Sequence, residues 1–348
     1  MSATLIPSAT PSDTYDVGLY DLDGVIYLGE APVEHAVEAV PAAAARGLRP
    51  LYVTNNSSRE PEEIAAQISG FGVDCTPEQI ITSAQSVAIL LAEVVEPGAR
   101  ILVVGGAGLR TAVRQAGFVV VESADDAPAA VVQGFAPHVS WRELAEAAYA
   151  IGDGARHVAT NLDGSIPKER GIAPGNGALV GAVVRATGVD PIASGKPLPA
   201  IYHQAAERLS ASTPLAIGDR LDTDLEGARA AGMPGLLVLT GVASARDVVL
   251  APASQRPSLL AIDLRGLFEP HPGPGPGDDG WWRCGTARAR VVDGVIELAE
   301  EDSSRRLVAD QDHTITLDGW RAVCVAAWAQ ADGGHPLQPQ DVPHLLVT

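Results

Sequence analysis

The sequence predicts an α/β fold, a Rossmann-like, doubly wound parallel sheet with helices on its faces, and two observations carry that prediction. From residue 17 to about residue 262, short apolar runs typical of buried strands alternate with amphipathic stretches typical of helices. A break rich in proline and glycine at residues 270–279 then sets a small α+β extension apart. The strands are predicted at residues 17–20, 49–53, 101–104, 118–121, 130–133, 157–159, 214–217 and 235–239, and helices at residues 61–69, 140–151 and 198–209.

Composition limits the partners and the location that we expect. The chain has 348 residues, 46% hydrophobic and 19% charged, which is enough for two or three domains with large cores. Its formal net charge of −19 argues against nucleic acid or an anionic membrane as the main partner. No apolar run approaches the roughly 18 residues of a membrane span. Three scattered cysteines and the lack of a basic-then-apolar leader predict a cytoplasmic protein, and a homo-oligomer is left open.

The most informative segment is Asp21-Leu22-Asp23-Gly24, which directly follows the apolar run at residues 17–20. Side chains alternate faces along a strand, so two carboxylates two residues apart at its end point the same way. Gly24 lets the chain turn sharply over them. The pair suits a nucleophile and an acid/base partner that serve one substrate, with a cation between them. The alternative is a pair of solvated turn residues.

A second polar segment ends the next predicted strand. Thr54 is followed by Asn55, Asn56 and two serines. A hydroxyl and successive backbone N–H groups at a strand-to-helix junction form an anion site of the size of a phosphate. The alternative is that these residues cap the helix that begins near residue 61.

Lys196 lies in a Gly-Lys-Pro turn ahead of a predicted helix, and it is one of only two lysines in the chain, the other being Lys168. The remaining positive charge is arginine, so the composition disfavours lysine in general. A compact ammonium suits a pocket where one point charge meets a carboxylate and a phosphoryl oxygen. The alternative is an exposed lysine at the start of a helix.

A fourth segment, residues 214–224, is an apolar run with Asp219 at its tip and Asp224 in the first turn of the next helix. Acidic residues at a helix N-terminus often only complement the dipole. Asp219, at a strand end, is harder to explain by structure alone, and it could complete an oxygen-ligand set for Mg²⁺. Arg220 and Arg59 flank the polar segments, where each could meet a substrate anion or pair with a neighbouring acid.

In their order and context the four segments resemble the signature of the haloacid dehalogenase superfamily, over residues 17 to about 262. The resemblance implies that Asp21 is a nucleophile that forms an aspartyl-phosphate, and that Asp23 is the general acid and then the general base. A second Asp in the first segment favours phosphate ester hydrolysis over dehalogenation, because an alkoxide leaving group needs a proton.

The same resemblance implies roles for the other polar residues. Lys196 would orient Asp21 and offset charge. Mg²⁺ would be held by Asp21, the Asp23 carbonyl and Asp219, with Asp224 supporting the metal from behind. The residues expected to bind the substrate or its phosphate are Thr54, Asn55, Asn56, Lys196 and Arg220.

The spacing of the segments predicts an inserted domain. Thr54 and Lys196 are 142 positions apart, which is too far for a loop. The alternating strands and helices between them indicate a small α/β sheet, like the type 2 cap of this superfamily. We expect the catalytic core at residues 13–87 and 191–265, the cap at residues 88–190, a linker at residues 266–280 and a small α+β extension at residues 281–348.

Two cap segments, residues 159–163 and 171–177, resemble those of the p-nitrophenyl phosphatase-like branch. That branch implies a small phosphorylated metabolite as substrate, since such a cap excludes bulk water and macromolecules. We expect glycerol 3-phosphate, with 2-phosphoglycolate, p-nitrophenyl phosphate-type esters and nucleoside monophosphates as alternatives. The glycine-rich residues 104–109 lack the full spacing of a dinucleotide-binding turn, so they are expected to be a turn of the cap.

The extension has its own local signals. Asp293-Gly294 between β-branched residues predicts a hairpin, followed by a strand at residues 304–308 and a helix at residues 318–331. Residues 270–279 are expected to have no regular structure, and Trp281 and Trp282 to anchor the extension on an apolar surface. An alternative function of a different class is a binding or regulatory protein that acts through this extension.

Overall fold

The computed structural model describes residues 5–168, 170–277, 280–301 and 303–348. The chain forms two compact units. The first contains the described residues up to Leu51, Phe71–Val73 and the described residues from Ala206 onward. The second contains Tyr52–Gly70 and the described residues of Asp74–Ala205.

The bounds of the elements are as follows. Strands are β1 Val17–Tyr20, β2 Tyr27–Leu28, β3 Ala31–Pro32, β4 Arg49–Thr54, β5 Ile80–Thr82, β6 Arg100–Val104, β7 Val119–Val121, β8 Ala130–Gln133, β9 Arg156–Ala159, β10 Ser165–Lys168, β11 Gly171–Pro174, β12 Ile192–Ala193, β13 Pro214–Gly218, β14 Gly235–Val238, β15 Leu259–Ala261, β16 Gly275–Pro276, β17 Trp282–Cys284, β18 Ala287–Val292, β19 Val295–Glu300, β20 Ser303–Leu307, β21 Asp312–Ile315 and β22 His344–Val347. Helices are α1 Pro11–Thr14, α2 Ala36–Ala45, α3 Pro61–Gly70, α4 Ser83–Val94, α5 Ala107–Gln115, α6 Trp141–Gly152, α7 Asn176–Thr187, α8 Ala200–Arg208, α9 Glu226–Ala230, α10 Ala245–Val249 and α11 Leu317–Asp332.

The first unit is built on a parallel sheet in the order β15–β14–β13–β1, with the beginning of β4 next to β1. These strands are short apolar runs because both of their faces are buried. Tyr20 of β1 is opposite Ile217 of β13, so both strands end at one edge of the sheet. The residues that follow the two strands therefore leave the sheet close together. The predicted α/β class is confirmed.

The extension forms an antiparallel sheet in the order β16–β17–β18–β19–β20, with α11 packed across β17, β18 and β19. The predicted hairpin is present, since Asp293 and Gly294 both have positive φ angles, 51° and 77°, between β18 and β19. One hydrophobic cluster joins this layer to the parallel sheet. Its members include Leu237, Leu260, Ile296, Leu298, Trp320, Val323 and Trp328.

The expectation that residues 270–279 have no regular structure is wrong in part. Gly275–Pro276 forms β16, which pairs antiparallel with Trp282 and Arg283. Proline is tolerated there because β16 is an edge strand, where a missing N–H faces away from the ladder. His271 is also held, since its backbone exchanges hydrogen bonds with that of Ser8. Residues 278 and 279 of this stretch lie outside the described residues.

The second unit contains a parallel sheet in the order β12–β9–β8–β6–β7. Alternate residues of β6 face opposite layers of helices: Ile101 and Val103 pack in a cluster with α4 and α5, and Leu102 and Val104 with α6 and α7. Burial on both faces explains why its strands are apolar runs and not alternating patterns. The end of β4 pairs in parallel with β5, and β10 and β11 form a hairpin.

The predicted core and cap boundaries stay a prediction. The second compact unit contains the expected cap and also residues 52–70, which we assigned to the core. In the part of the chain that the structure describes, no helix combines the length and the apolar character that a bilayer crossing requires.

Candidate active site

Three buried carboxylates come together in the first unit. Asp21, Asp219 and Asp224 each offer one oxygen, and these oxygens all lie within 4.8 Å of one another. Asp21 directly follows β1, where its backbone N–H donates to the Ile217 carbonyl at 2.8 Å. Asp219 directly follows β13. The parallel strand ends thus deliver two of the three side chains to one place, as the sequence predicts.

Asp219 is packed into a space that only glycine leaves open. Its Oδ2 accepts a hydrogen bond of 2.7 Å from the backbone N–H of Val242. A Cβ at Gly24 would lie 2.5 Å from the same oxygen, and a Cβ at Gly241 would overlap it. Gly24 also has a φ of +88°, in the left-handed region that glycine favours. Gly24 and Gly241, which are far apart in sequence, therefore leave the space that this carboxylate occupies.

Asp224 reaches the cluster from a π-helical turn, Leu221–Leu225, that precedes α9. Such single turns widen a helix locally and occur often at functional sites. The Oδ2 atom of Asp224 accepts a hydrogen bond of 3.1 Å from the backbone N–H of Arg220. A Cβ at Gly218 would overlap the Asp224 side chain. We expected Asp224 behind the metal, and its carboxylate also lies in the same cluster as those of Asp21 and Asp219.

The donor set suits a hard divalent cation. Three carboxylates, nearly excluded from water at 8%, 0% and 2% exposure for Asp21, Asp219 and Asp224, repel one another unless positive charge is supplied. Oxygen ligands of this type are those that Mg²⁺ prefers. Among the described residues this is the one cluster of acidic, histidine or cysteine side chains with such spacing. The residues therefore fit the metal that the sequence implies.

Asp23 is exposed, in contrast to Asp21 two positions earlier. The chain turns after it: Leu22 accepts a hydrogen bond from Ile26 N at 2.9 Å, and Gly24 N donates to the Tyr27 carbonyl at 2.8 Å. An exposed carboxyl group can exchange protons with water, which suits an acid/base role. Its catalytic role and its carbonyl ligand stay predictions.

The arginines that flank the segments are engaged with neighbouring side chains. Arg220 binds Asp222 through two hydrogen bonds, Nε to Oδ1 at 3.1 Å and Nη2 to Oδ2 at 2.8 Å. Arg59 donates to Gln67 at 2.6 Å and pairs with Glu63. The ion-pairing alternative that the sequence left open is thus present, and substrate binding by Arg220 stays a prediction.

In the second unit, the polar residues after β4 form a compact turn. The Thr54 hydroxyl accepts a hydrogen bond of 3.1 Å from Asn56 N. The Asn56 side chain in turn accepts from Ser58 N at 2.8 Å and from Arg59 N at 3.4 Å. Local bonds of this kind hold a turn in which backbone N–H groups follow one another. The side chains of Asn56 and Thr54 are therefore used at least partly to build the loop.

Lys196 is buried in the same unit, with an exposure of only 3%. Its Nζ atom donates to the Val53 carbonyl at 3.0 Å. Its backbone N–H and carbonyl both bind the Asn55 side chain, at 2.8 and 3.0 Å. An ammonium held this far from solvent is not the exposed helix-start lysine of the alternative interpretation.

Asn161 and Asp163, which we expected in the cap without a role in the site, belong to this arrangement. Asp163 accepts from the Asn55 amide, and Asn161 Nδ2 donates to the Asn55 carbonyl at 2.8 Å. Both lie in residues 159–163, a segment that we had singled out only by resemblance. The glycine-rich turn also contacts the loop, because Gly108 N donates to Ser58 O at 3.1 Å. It is a packing turn against the polar loop.

The first comparisons concern sequence. A family model described as haloacid dehalogenase-like hydrolase matches residues 18–119, and one described as HAD-hydrolase-like matches residues 193–267. The chain is 47% identical over 255 residues to a D-glycerol 3-phosphate phosphatase of Mycobacterium tuberculosis, which covers 73% of this chain and 71% of the relative. It is 39% identical over 236 residues to an acid sugar phosphatase of Staphylococcus aureus, at 67% and 90% coverage.

Solved structures agree with these matches. A glycerol phosphate phosphatase from Mycobacterium tuberculosis, crystallised in complex with magnesium, has a TM-score of 0.81 at 38% identity and covers 97% of this chain and 94% of its own. A p-nitrophenyl phosphatase from Archaeoglobus fulgidus has a TM-score of 0.67 at 27% identity, with 73% and 98% covered. The first match is broad enough to include most of the extension.

Proposed function

Because this chain belongs to the haloacid dehalogenase-like hydrolase family and is a phosphoric monoester hydrolase, we propose that it hydrolyses glycerol 3-phosphate to glycerol and phosphate with Mg²⁺. The observation that carries the proposal is the buried cluster of Asp21, Asp219 and Asp224 at the strand ends. The choice of substrate is supported by the 47% identical relative, whose name gives D-glycerol 3-phosphate.

In the proposed reaction Asp21 is the nucleophile. A carboxylate oxygen of Asp21 attacks phosphorus, so that an Asp21–phosphorus bond forms while the bond between phosphorus and the glycerol oxygen breaks. The Asp23 carboxyl group gives its proton to the leaving alkoxide. Asp23 then takes a proton from water, whose oxygen attacks phosphorus and displaces the Asp21 carboxylate. One phosphate and one alcohol leave, and both side chains return to their first states.

Thr54, Asn55 and Lys196 are proposed to bind the phosphoryl group, as the family resemblance implies. The backbone N–H groups of Asn55 and Ser57 are the proposed donors to phosphoryl oxygens, because those of Asn56, Ser58 and Arg59 already donate to side chains of the turn. Lys196 supplies the one positive charge that is buried among these residues. Asn55 contributes through its backbone and through its hold on Lys196, because its side-chain amide is already bonded.

Mg²⁺ belongs to the same proposal. Asp21, Asp219 and Asp224 would hold it, and when bound it neutralises charge on the carboxylates and the phosphoryl oxygens. A cytoplasmic location is also proposed, and the three free cysteines, of which Cys284 and Cys324 are buried, support a reducing compartment.

The experiment is phosphate release with Mg²⁺ over a panel of glycerol 3-phosphate, 2-phosphoglycolate, p-nitrophenyl phosphate, a sugar phosphate and nucleoside monophosphates. We expect the highest kcat/KM on glycerol 3-phosphate, and loss of turnover by at least about 10³-fold in Asp21→Asn. Asp74→Asn, at an exposed carboxylate, is the matched control and should act as wild type.

Each part of the proposal has its own contrary result. Faster turnover of a sugar phosphate would contradict glycerol 3-phosphate as the substrate and would favour the activity named for the Staphylococcus aureus relative. Activity retained in Asp21→Asn would contradict the role of Asp21 as the nucleophile. Activity that survives complete chelation and is not raised by added Mg²⁺ would contradict the requirement for the metal.

A further inference from the structure

Asn55 is the point at which three segments of the second unit meet. Its backbone carbonyl accepts from Asn161 Nδ2 at 2.8 Å and from Ser83 Oγ at 2.7 Å. Its side chain binds Asp163 and both backbone polar groups of Lys196. These partners are 28 to 141 positions away in sequence, so the contacts depend entirely on how the unit folds.

Asp163 and the Lys196 backbone together fix which way the Asn55 amide faces. The Asn55 Nδ2 atom lies 3.2 and 3.0 Å from the two Asp163 carboxylate oxygens, which in the ionised form only accept. The NH₂ group must therefore face Asp163, and its second N–H donates to the Lys196 carbonyl at 3.0 Å. The Asn55 Oδ1 atom is then left to accept from Lys196 N at 2.8 Å. A bond to a carboxylate is stronger than one between neutral groups.

Asp163 is itself well placed to impose this orientation. Its backbone N–H donates to Asn161 Oδ1 at 3.2 Å, and its carbonyl accepts from Gly177 N at 2.8 Å. A Cβ at Gly175 or at Gly177 would overlap the backbone of the 162–163 turn. The turn is thus packed between the polar loop and the start of α7.

We propose that Asp163 is a positioning residue for Lys196 in the phosphatase reaction. It orients the Asn55 amide, and the amide clamps Lys196 on both sides of its Cα. The clamp sets the direction in which the Lys196 side chain leaves the backbone, while its Nζ bond to the Val53 carbonyl holds the other end. This inference rests on the proposed function, since it assigns Lys196 a task in that reaction.

The kinetic part of the test compares two substitutions at one position. Asp163→Ala removes the acceptor, and we expect kcat to fall by about 10- to 100-fold, the range for partners that orient a functional group, with KM changed by less than about threefold. Asp163→Asn keeps an acceptor oxygen and should stay within about fivefold of wild type. Asp153→Ala, at an exposed carboxylate of the same unit, is the matched control.

The second readout does not depend on turnover. The chain has only two lysines, so a sample labelled with [¹⁵N]lysine gives two backbone amide signals, and Lys196→Arg identifies that of Lys196. Hydrogen exchange of the Lys196 amide should be at least about tenfold faster in Asp163→Ala than in wild type, because its acceptor, the Asn55 side chain, loses the carboxylate that holds it in place. In Asp163→Asn the rate should stay near that of wild type.

The outcomes separate this inference from the proposed function. If wild type releases no phosphate from the panel, the proposed function fails, and the amide signal alone decides whether Asp163 orients the Lys196 backbone. If wild type is active while Asp163→Ala keeps both its kcat and its slow Lys196 exchange, the inference is overturned. Equal losses in Asp163→Ala and Asp163→Asn would also contradict it, since asparagine can still accept the bond.

Discussion

The indole N–H of Trp320 donates a hydrogen bond of 3.0 Å to the backbone carbonyl of Ala245. Trp320 lies in α11 of the extension, and Ala245 begins α10 beside the parallel sheet. Trp328, two turns further along α11, makes the same kind of bond to the Val248 carbonyl at 2.9 Å. The extension is therefore docked on the rest of the first unit through a buried helix and does not hang from a linker.

Trp320→Ala should strongly destabilise the first unit. The side chain is fully buried, so its loss removes apolar contacts and leaves a cavity, at a cost of about 3–5 kcal/mol in the free energy of unfolding. Trp320→Phe should cost less, about 1–3 kcal/mol, mainly because the Ala245 carbonyl loses its donor. Chemical denaturation measures both.

Trp141→Ala is the matched control, because that indole is 78% exposed, and it should change stability by less than about 0.5 kcal/mol.

Removal of residues 270–348 should give an insoluble chain, since it uncovers the hydrophobic cluster that the extension shares with the parallel sheet. A soluble, fully active truncation would instead favour a binding or regulatory role for the extension.

Gly241→Ala should impair catalysis through Asp219. The added methyl group would overlap the Asp219 carboxylate, so the side chain must move away from Asp21 and Asp224. We expect kcat/KM to fall at least about tenfold and the Mg²⁺ concentration that gives half-maximal activity to rise. Both are measured by phosphate release. Gly70→Ala, at a glycine with open space around its Cα, is the control, and equal activity in both variants would contradict the prediction.

His271 should make the stability of the first unit depend on pH. Its Nε2 atom lies 2.9 Å from the Gly266 carbonyl and must donate, so Nδ1 accepts from Arg321 at 3.1 Å. Burial, opposed by the Gly266 bond and aided by the Arg321 charge, lowers the pKa of His271 from 6.5 to about 4. The neutral form thus belongs to the folded state.

Between pH 6.5 and about pH 4, His271 is protonated in the unfolded chain and neutral in the folded protein. The contribution of His271 to the free energy of unfolding is therefore complete above pH 6.5. It falls by roughly 3 kcal/mol as the pH is lowered from 6.5 to about 4. Denaturation at several pH values should show a smaller loss in His271→Gln than in wild type. Parallel pH profiles for the two proteins would exclude His271 as the cause.

Local patterns made much of the fold predictable. β1 at Val17–Tyr20 and β8 at Ala130–Gln133 have the predicted bounds, and α6 at Trp141–Gly152 lies within one residue of the helix predicted at residues 140–151. Such elements are set by side chains that are near each other in sequence. The two-residue strand β12 and the hairpin β10–β11 were not predicted, because β12 is very short and β11 is mostly exposed, so neither leaves an apolar strand pattern.

The parts of the candidate site that lie at strand ends were predictable. The hydrogen bonds between segments far apart in sequence were not. Asp21 and Asp219 were identified because the ends of parallel strands meet. Asp163 was not, because its bond to Asn55 joins residues 108 positions apart and leaves no local period or cap signal.

The sequence by itself determined the α/β class, the two strand-end carboxylates, the hairpin at Asp293-Gly294 and the family, since these depend on short-range order. Only the tertiary structure decided that Asp224 lies in the same cluster as Asp21 and Asp219. It also decided that the Asn55 side chain is hydrogen-bonded to Asp163 and Lys196, and that Trp320 docks the extension. The reason is physical. Which buried polar group finds which partner depends on how separate segments pack, and a buried polar group left without a partner destabilises the folded state.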